Sequence, residues 1–273
     1  MPELPEIETI CRGLKPHLEG RRILSVTVRE RRLRCIVDRR LAEVLEGRTI
    51  LRVGRRAKYI LISLSGEIIW MYHLGMSGKL IHVDPQTPKQ KHDHILVRLD
   101  SGRELRYHDP RRFGLSVLAA ENELHELPQL KHLGLDPFDS GFNAPYLYSF
   151  TKHSDRRIRD LLLDQQIVAG IGNIYANEIL ARAGVRPTAR SRRLARKQIE
   201  RIAAMIPTVL NEAIRWCGTS FSDYRDADDR FGEFQKHLRV YNRLGQKCRA
   251  CRSVIKRIAI GNRSAFYCPS CQK

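Results

Sequence analysis

Four cysteines near the carboxyl end, Cys248-x-x-Cys251 and Cys268-x-x-Cys271, have the spacing that most directly implies chemistry. Two such pairs, sixteen residues apart, can present four thiolates tetrahedrally to one Zn²⁺. Four thiolates close the coordination sphere, so such a metal is structural and leaves no position for a substrate. A pair of redox dithiols is the competing reading. Between the pairs, Ile255 to Tyr267 alternates apolar and polar residues about Gly261-Asn262, a hairpin pattern. A segment this short lacks an adequate core, so the metal must supply most of its folding free energy, on the order of 10 kcal/mol. Arg249, Arg252, Lys256, Arg257 and Arg263 make it basic, which suits contact with a phosphate backbone.

A second candidate lies at the other end. Pro2 beside Glu3 reads on its own as a helix start. Removal of Met1, however, would expose a secondary amine whose pKa of about 8 lies well below that of lysine. The positive end of the following helix lowers it further, against the opposing charge of Glu3 and Glu6. A partly neutral secondary amine is a nucleophile towards a sugar C1′, and the iminium it forms is an electron sink. Glu3 and Glu6, three residues apart, share a helical face near that amine, where a carboxyl can act as acid or base. A third feature, Gly170-x-Gly172-Asn173, opens a helical pattern from Ile174 and aims a glycine turn at a helix amino terminus, an anion site. No βαβ frame surrounds it, and Gly-x-Gly-x-x-Gly is absent, so a dinucleotide site is excluded.

These groups need a scaffold, and 273 residues with 42% hydrophobic content suffice for two domains and a small appendage. Leu4, Ile7, Cys11 and Leu14 form one stripe of a short helix ending at Pro16. From about Ile23 to Ala120 the pattern turns to strands: Ile23 to Val28, Ile50 to Val53, Tyr59 to Leu64, Ile68 to Leu74 and Ile95 to Leu99, the last followed by an Asp100-Ser101-Gly102 turn. This predicts a β-sandwich or barrel-like domain. Residues 121–150, with several prolines and glycines and little periodicity, read as a connection. Helices are expected over Asp155 to Gln165, Ile174 to Arg182 and Leu194 to Trp216, the last kinked or split at Pro207. Gly218 to Phe234 reads as a polar, mobile loop.

The formal charge of +19 is spread along the chain and points to a polyanionic partner, above all nucleic acid. Three further cysteines, Cys11, Cys35 and Cys217, stand singly, which fits a reducing cytosol. No apolar run approaches the roughly 18 residues of a membrane span, and the opening residues lack the pattern of a secretion signal. Neither membrane insertion nor secretion is expected.

Taken in order, Met-Pro-Glu-Leu-Pro-Glu-Ile-Glu-Thr at the start, Gly54-Arg55-Arg56-Ala57-Lys58-Tyr59, His73-Leu74-Gly75-Met76-Ser77-Gly78, Lys91-His92-Asp93-His94, Asp109-Pro110-Arg111-Arg112-Phe113-Gly114, Leu163-Asp164-Gln165 with Gly170-Ile171-Gly172-Asn173-Ile174-Tyr175, and the cysteine hairpin resemble the successive signatures of the bacterial formamidopyrimidine-DNA glycosylases. The resemblance covers essentially the whole chain. It implies an α+β multidomain fold: an amino-terminal catalytic β-sandwich with flanking helices over residues 1–135, a linker over 136–150, a helix-two-turns-helix domain over 151–235 with a lesion-capping loop at 218–234, and a zinc β-hairpin over 236–273. The implied activity is base-excision repair by a bifunctional glycosylase and abasic-site lyase acting on 8-oxoguanine and formamidopyrimidines, through a Schiff base and β,δ-elimination.

Residue by residue, the resemblance makes Pro2 the Schiff-base nucleophile, Glu3 the proton donor to the opening sugar, and Glu6 a holder of the amino terminus. Lys58 becomes the proton donor for β-elimination and Arg263 that for δ-elimination. Met76, Arg111 and Phe113 match the trio that fills the space of an extruded base, with Arg111 facing the orphaned cytosine. His73, His92, Asn173 and Tyr241 match phosphate contacts, and Cys248, Cys251, Cys268 and Cys271 the ligands of one structural Zn²⁺. The implied partner is double-stranded DNA carrying an oxidised purine opposite cytosine. The implied protein is a cytoplasmic bacterial monomer, nucleoid-associated on DNA. Asn242, Lys247 and Arg252 depart from the family's usual Gly, Pro and Gly, and a left-handed backbone costs Arg252 more than Asn242. Two rival readings are a same-scaffold glycosylase for oxidised pyrimidines and a noncatalytic zinc-bearing DNA-binding protein. Leu4 and Arg111-Arg112-Phe113 favour the purine enzyme over the former, and the presence of Pro2, Glu3 and Lys58 speaks against the latter.

Overall fold

The computed structural model describes residues 2–220 and 231–273, which form two compact units. The first comprises residues 1–131 and 214–235, the second residues 132–213 and 236–273.

In the first unit, helix α1 (Leu4–Leu18) buries the expected stripe of Leu4, Ile7, Cys11 and Leu14. It runs past Pro16, because Leu18 is buried and the Glu19 amide closes the last turn on the Lys15 carbonyl (3.1 Å). Strand β1 (Ile23–Val28), a short helix α2 (Leu41–Leu45), and strands β2 (Ile50–Arg56), β3 (Tyr59–Leu64), β4 (Ile68–His73), β5 (Lys79–Val83), β6 (Asp93–Leu99), β7 (Glu104–His108) and β8 (Leu115–Ala120) follow. They make two four-stranded sheets, β1-β6-β7-β5 and β2-β3-β4-β8, with every pairing antiparallel. Inward residues of both, among them Val26, Ile60, Ile62, Trp70, Tyr72, Val97, Leu105 and Tyr107, share one core with α1. Each fully buried aliphatic side chain there contributes about 2 kcal/mol.

Strand β7 escapes a hydropathy reading because its charged residues are buried on the face opposite Leu105 and Tyr107, under the segment from Pro85 to Pro88. Arg106, 1% exposed, is paired with Glu104 (2.6 Å) and Asp93 (3.6 Å) and donates to the Thr87 carbonyl (2.8 Å). So partnered, the guanidinium is buried beneath that segment without the cost of an unpaired charge.

The second unit contains α3 (Ala144–Thr151), α4 (Ile158–Leu162), α5 (Asn173–Ala183), most of α6 (Arg196–Arg215), and the hairpin β9 (Lys256–Ile260) and β10 (Arg263–Tyr267). Helix α3 lies in the stretch expected to be plain connection. Its start is marked by Asn143, whose side chain accepts the Tyr146 amide (2.9 Å), and by Pro145 in the first turn. The helix expected over Asp155 to Gln165 is shorter, because Arg157 is extended and Asp164 and Gln165 enter a turn. Pro207 does not split α6. Ile199, Ile202, Ile206, Val209, Leu210 and Ala213 are buried along one face, and that burial outweighs the lost amide. Among the described residues no helix is long and apolar enough to cross a membrane.

Candidate active site and nucleic-acid interface

Pro2 is buried at the head of α1. Behind it Glu3 and Glu6 form a reciprocal capping box: the Glu3 amide donates to Glu6 Oε2 (2.8 Å) and the Glu6 amide to the Glu3 carboxylate. Both side chains are buried. The other Glu6 oxygen accepts the amide of Thr219 (2.8 Å). Glu6 therefore fixes the helix start and the stem of the loop expected at 218–234, whose residues 221–230 lie outside the described residues. That stem is closed by Phe234 N to Gly218 O (3.0 Å), Glu233 N to Trp216 O (2.8 Å) and Gly232 N to Ser220 Oγ (2.9 Å). Gly218 has φ +78°, and a β-carbon there would stand 2.8 Å from Glu6 Oε1, so this position requires glycine.

Lys58 sits in the two-residue turn between β2 and β3, where Arg56 pairs with Tyr59 and Ala57 takes φ 52°. The turn delivers a buried ammonium group. Tyr59 pairs across β3 and β4 with His73, their ring centroids 5.0 Å apart. Burial first, then the charges of Lys58 and Arg34, push His73 down to about 4. The neutral ring accepts the Gly75 amide at Nδ1 (3.0 Å), which leaves Nε2–H as a donor suited to a phosphate oxygen.

Met76 and Phe113 are 43% and 47% exposed, which removes the reading of either as core. The guanidinium of Arg111, also exposed, lies 4.6 Å from the centre of the Phe113 ring. The three residues stand on two loops of the first unit, 74–78 and 109–114. His92, half-buried, precedes β6, and its carbonyl accepts the amide of Asp109 (3.0 Å).

In the second unit, Gln165 staples the turns between α4 and α5, donating to Leu163 O (2.9 Å) and Ile171 O (2.8 Å) and accepting Gly170 N (2.9 Å). Asn173 begins α5; its side-chain oxygen accepts from buried Arg159 (2.7 Å) and its amide donates to Ser264 O (3.2 Å) on β10. Arg263 stands exposed at the start of β10, next to the two-residue turn Gly261-Asn262. Tyr241 is held by a residue the sequence reading did not single out. Glu178 of α5, fully buried, accepts the amides of Arg239, Val240 and Tyr241 (2.8, 2.9 and 2.9 Å). The available signal was an acid on the buried face that Tyr175 and Ile179 define.

The four cysteine sulfurs all lie within 4.8 Å of one another, with Cys248 and Cys271 at 3.9 Å and Cys251 and Cys268 at 3.4 Å. Tetrahedral Zn–S bonds of about 2.3 Å put sulfurs about 3.8 Å apart, so the donor set fits one zinc. Arg252 takes φ 66° and Asn242 φ 56°. The first knuckle nevertheless closes, with Arg252 N on Cys248 O (3.0 Å) and Cys248 N on Ser253 O (2.8 Å). The left-handed arginine costs about 1 kcal/mol. Arg252→Gly is therefore expected to raise the chelator concentration needed to strip half the zinc, a gain of about 1 kcal/mol; a lower midpoint would mean the arginine side chain contributes more than its backbone costs.

A β-sandwich with a proline, two carboxylates and a lysine buried in its own first unit, and a second unit built of a helix-turn element and a four-thiolate hairpin, belongs to the class of zinc-bearing enzymes that act on nucleic acid. The family model described as the formamidopyrimidine-DNA glycosylase N-terminal domain matches residues 1–116, the H2TH domain of the same glycosylase residues 133–225, and the zinc finger found in FPG and IleRS residues 245–273. The formamidopyrimidine-DNA glycosylase of Thioalkalivibrio sulfidiphilus is 49% identical over 273 residues, all of both chains. Among solved structures, wild-type Lactococcus lactis Fpg (MutM) in complex with DNA containing N7-benzyl-Fapy-dG superposes with a TM-score of 0.93 at 31% identity over all of both chains. MutM of Thermus thermophilus gives 0.88 at 37% identity, covering 99% of this chain and 98% of that one. The chain belongs to the formamidopyrimidine-DNA glycosylase family.

Proposed function

We infer that this protein is a DNA glycosylase and abasic-site lyase of base-excision repair, removing oxidised purines from double-stranded DNA. The observation that carries the reading is the head of α1, where a buried proline nitrogen is set by a Glu3–Glu6 capping box beside the sandwich that bears Lys58. Family membership and the lesion-bearing DNA of the Lactococcus lactis complex support the substrate class. The charge of +19 supplies the attraction for the phosphate backbone.

In this reading the Pro2 amine, freed by loss of Met1, attacks C1′ as the glycosidic bond breaks; the bonding pair leaves with the base, which takes up the proton that the amine sheds. Glu3 protonates O4′ as the sugar ring opens, leaving an iminium between Pro2 and C1′. The iminium acidifies C2′, which gives its proton to a base as the C3′–O bond breaks; the bonding pair leaves on the 3′ phosphate oxygen, towards which Lys58 donates a proton. A second elimination at C4′ breaks the C5′–O bond, with Arg263 assisting. Met76, Arg111 and Phe113 fill the space of the extruded base, Arg111 facing the orphaned cytosine. His73, His92, Asn173 and Tyr241 take phosphates. Zinc, held by Cys248, Cys251, Cys268 and Cys271, supplies folding free energy to the hairpin and no reaction step.

We further assign the catalytic sandwich to residues 1–135, the linker to 136–150, the helix-two-turns-helix with its capping loop to 151–235 and the zinc hairpin to 236–273. The protein is proposed to work as a cytoplasmic monomer, nucleoid-associated when on DNA.

Borohydride reduction during reaction with an 8-oxoguanine:cytosine duplex tests the reading. The expected result is a covalent protein–DNA adduct whose peptide map places the link on the Pro2 nitrogen, together with strand cleavage. Binding without either would leave a DNA-binding protein that has lost the chemistry. Faster excision of an oxidised pyrimidine than of 8-oxoguanine would move the substrate to the other class.

A further inference from the structure

One buried carboxylate ties together both loops that carry the exposed trio. Asp109 has no exposed surface. Its Oδ1 accepts the Ser77 hydroxyl (2.6 Å), and its Oδ2 accepts the Gly114 amide (2.9 Å) and the Tyr107 hydroxyl (3.1 Å). Ser77 Oγ in turn accepts the amide of Arg111 (3.2 Å), so its single proton is committed to Asp109. The Asp109 carbonyl receives Nε2 of His94 (2.7 Å) and the amide of Arg112 (3.2 Å), which takes φ 55°. The amides of residues 111, 112 and 114 are thus all anchored, directly or through Ser77, to one aspartate, and Phe113 is held between them. Met76 is joined to the same centre through its neighbour Ser77. The two loops also touch at Gly75, where a β-carbon would stand 2.5 Å from the Phe113 carbonyl carbon.

We propose that Asp109 is the positioning residue of the base-displacing wedge: through Ser77 and Gly114 it fixes Met76, Arg111 and Phe113 as one rigid group, and so sets base extrusion and opposite-base discrimination without touching DNA. This rests on the reading of that trio as the wedge. All three donors at the carboxylate require an acceptor, and the phenol of Tyr107 is held protonated by burial and by Asp109 itself. An amide at this position must keep its oxygen for Gly114 and Tyr107 and turn its NH2 to Ser77, whose hydroxyl proton then loses its charged acceptor, and the tie between the loops weakens.

The test compares Asp109→Asn and Ser77→Ala with wild type in three measurements: single-turnover excision of 8-oxoguanine opposite cytosine, the same opposite adenine, and cleavage at a preformed abasic site, which has no base to extrude. Expected are a loss of 10-fold or more in excision opposite cytosine, a fall in the cytosine-to-adenine rate ratio, and abasic-site cleavage within about threefold of wild type. Ser77→Ala removes the bridge from Asp109 to the Arg111 amide, leaves the bonds of Gly114 and Tyr107 to Asp109 in place, and decides the matter should the aspartate variant not fold. A parallel loss of abasic-site cleavage, or an unchanged rate ratio, overturns the proposal. Phe113→Ala and Met76→Ala separate the two levels: if they slow excision while the Asp109 and Ser77 variants do not, only the positioning role fails, and if they too are without effect, the wedge reading fails.

Discussion

Glu3→Gln is expected to slow release of 8-oxoguanine by about 10³-fold, within the range over which a positioned general acid accelerates proton transfer. The substitution keeps an acceptor for the Glu6 amide, so the capping box and the start of α1 should persist and the melting temperature should stay within a few degrees. What disappears is the proton for O4′ as the sugar opens. A preformed abasic site already exists partly as the open aldehyde, so the variant should still cleave such DNA at a rate nearer to wild type. Pro2→Gly completes the comparison. It retains an α-amine, but loses the ring that orients the nitrogen and the obligately cationic iminium. Its excision and its borohydride adduct are expected to fall together by about 10³-fold, the cost of misplacing a nucleophile. Excision by Glu3→Gln within tenfold of wild type would assign the proton to another group.

The second large effect is expected at the zinc hairpin. Cys268→Ala leaves three ligands for a segment whose buried cluster is Val240, Cys248, Ile255, Phe266 and Cys268. So few apolar residues cannot offset the loss of about 10 kcal/mol of metal ligation, and β9 and β10 should unfold. The consequence reaches α5, because the hairpin meets it through Phe266 N on Asn177 Oδ1 (2.7 Å) and Ser264 O on the Asn173 amide (3.2 Å). Asn173 and Arg263, both proposed to touch DNA, therefore lose their setting together. Affinity for duplex DNA should drop by 10-fold or more, with one zinc per chain lost by metal analysis and the far-ultraviolet signal of the sandwich largely kept. Undiminished binding by zinc-free protein would confine the hairpin to a structural role.

The sequence made the ends of the molecule legible and its middle less so. Strand β1 follows from its run of β-branched and apolar residues, β3 from alternation and the zinc knuckles from spacing, which are local properties. Strands β5, β7 and β8 did not emerge. In β7 the reason is physical: Glu104 and Arg106 neutralise each other while buried on the strand's other face, and a hydropathy pattern counts them as surface. Met76 and Phe113 could be either core or interface by composition, and only their exposure decides. Asp109 and Glu178 were both missed as organisers. Glu178 acts through three backbone amides and Asp109 through one amide and two hydroxyls, and neither kind of partnership leaves a mark in the sequence.

The closed stem of residues 216–220 and 231–235 has an evolutionary implication. Its two strands of chain are bound to each other and to Glu6 by bonds that involve none of the ten residues between them. Insertions, deletions or wholesale exchange of that intervening stretch between homologues would leave these bonds of the stem intact. On the proposed role of residues 218–234 as a lesion-capping loop, lesion preference can thus drift from lineage to lineage as an interchangeable cassette.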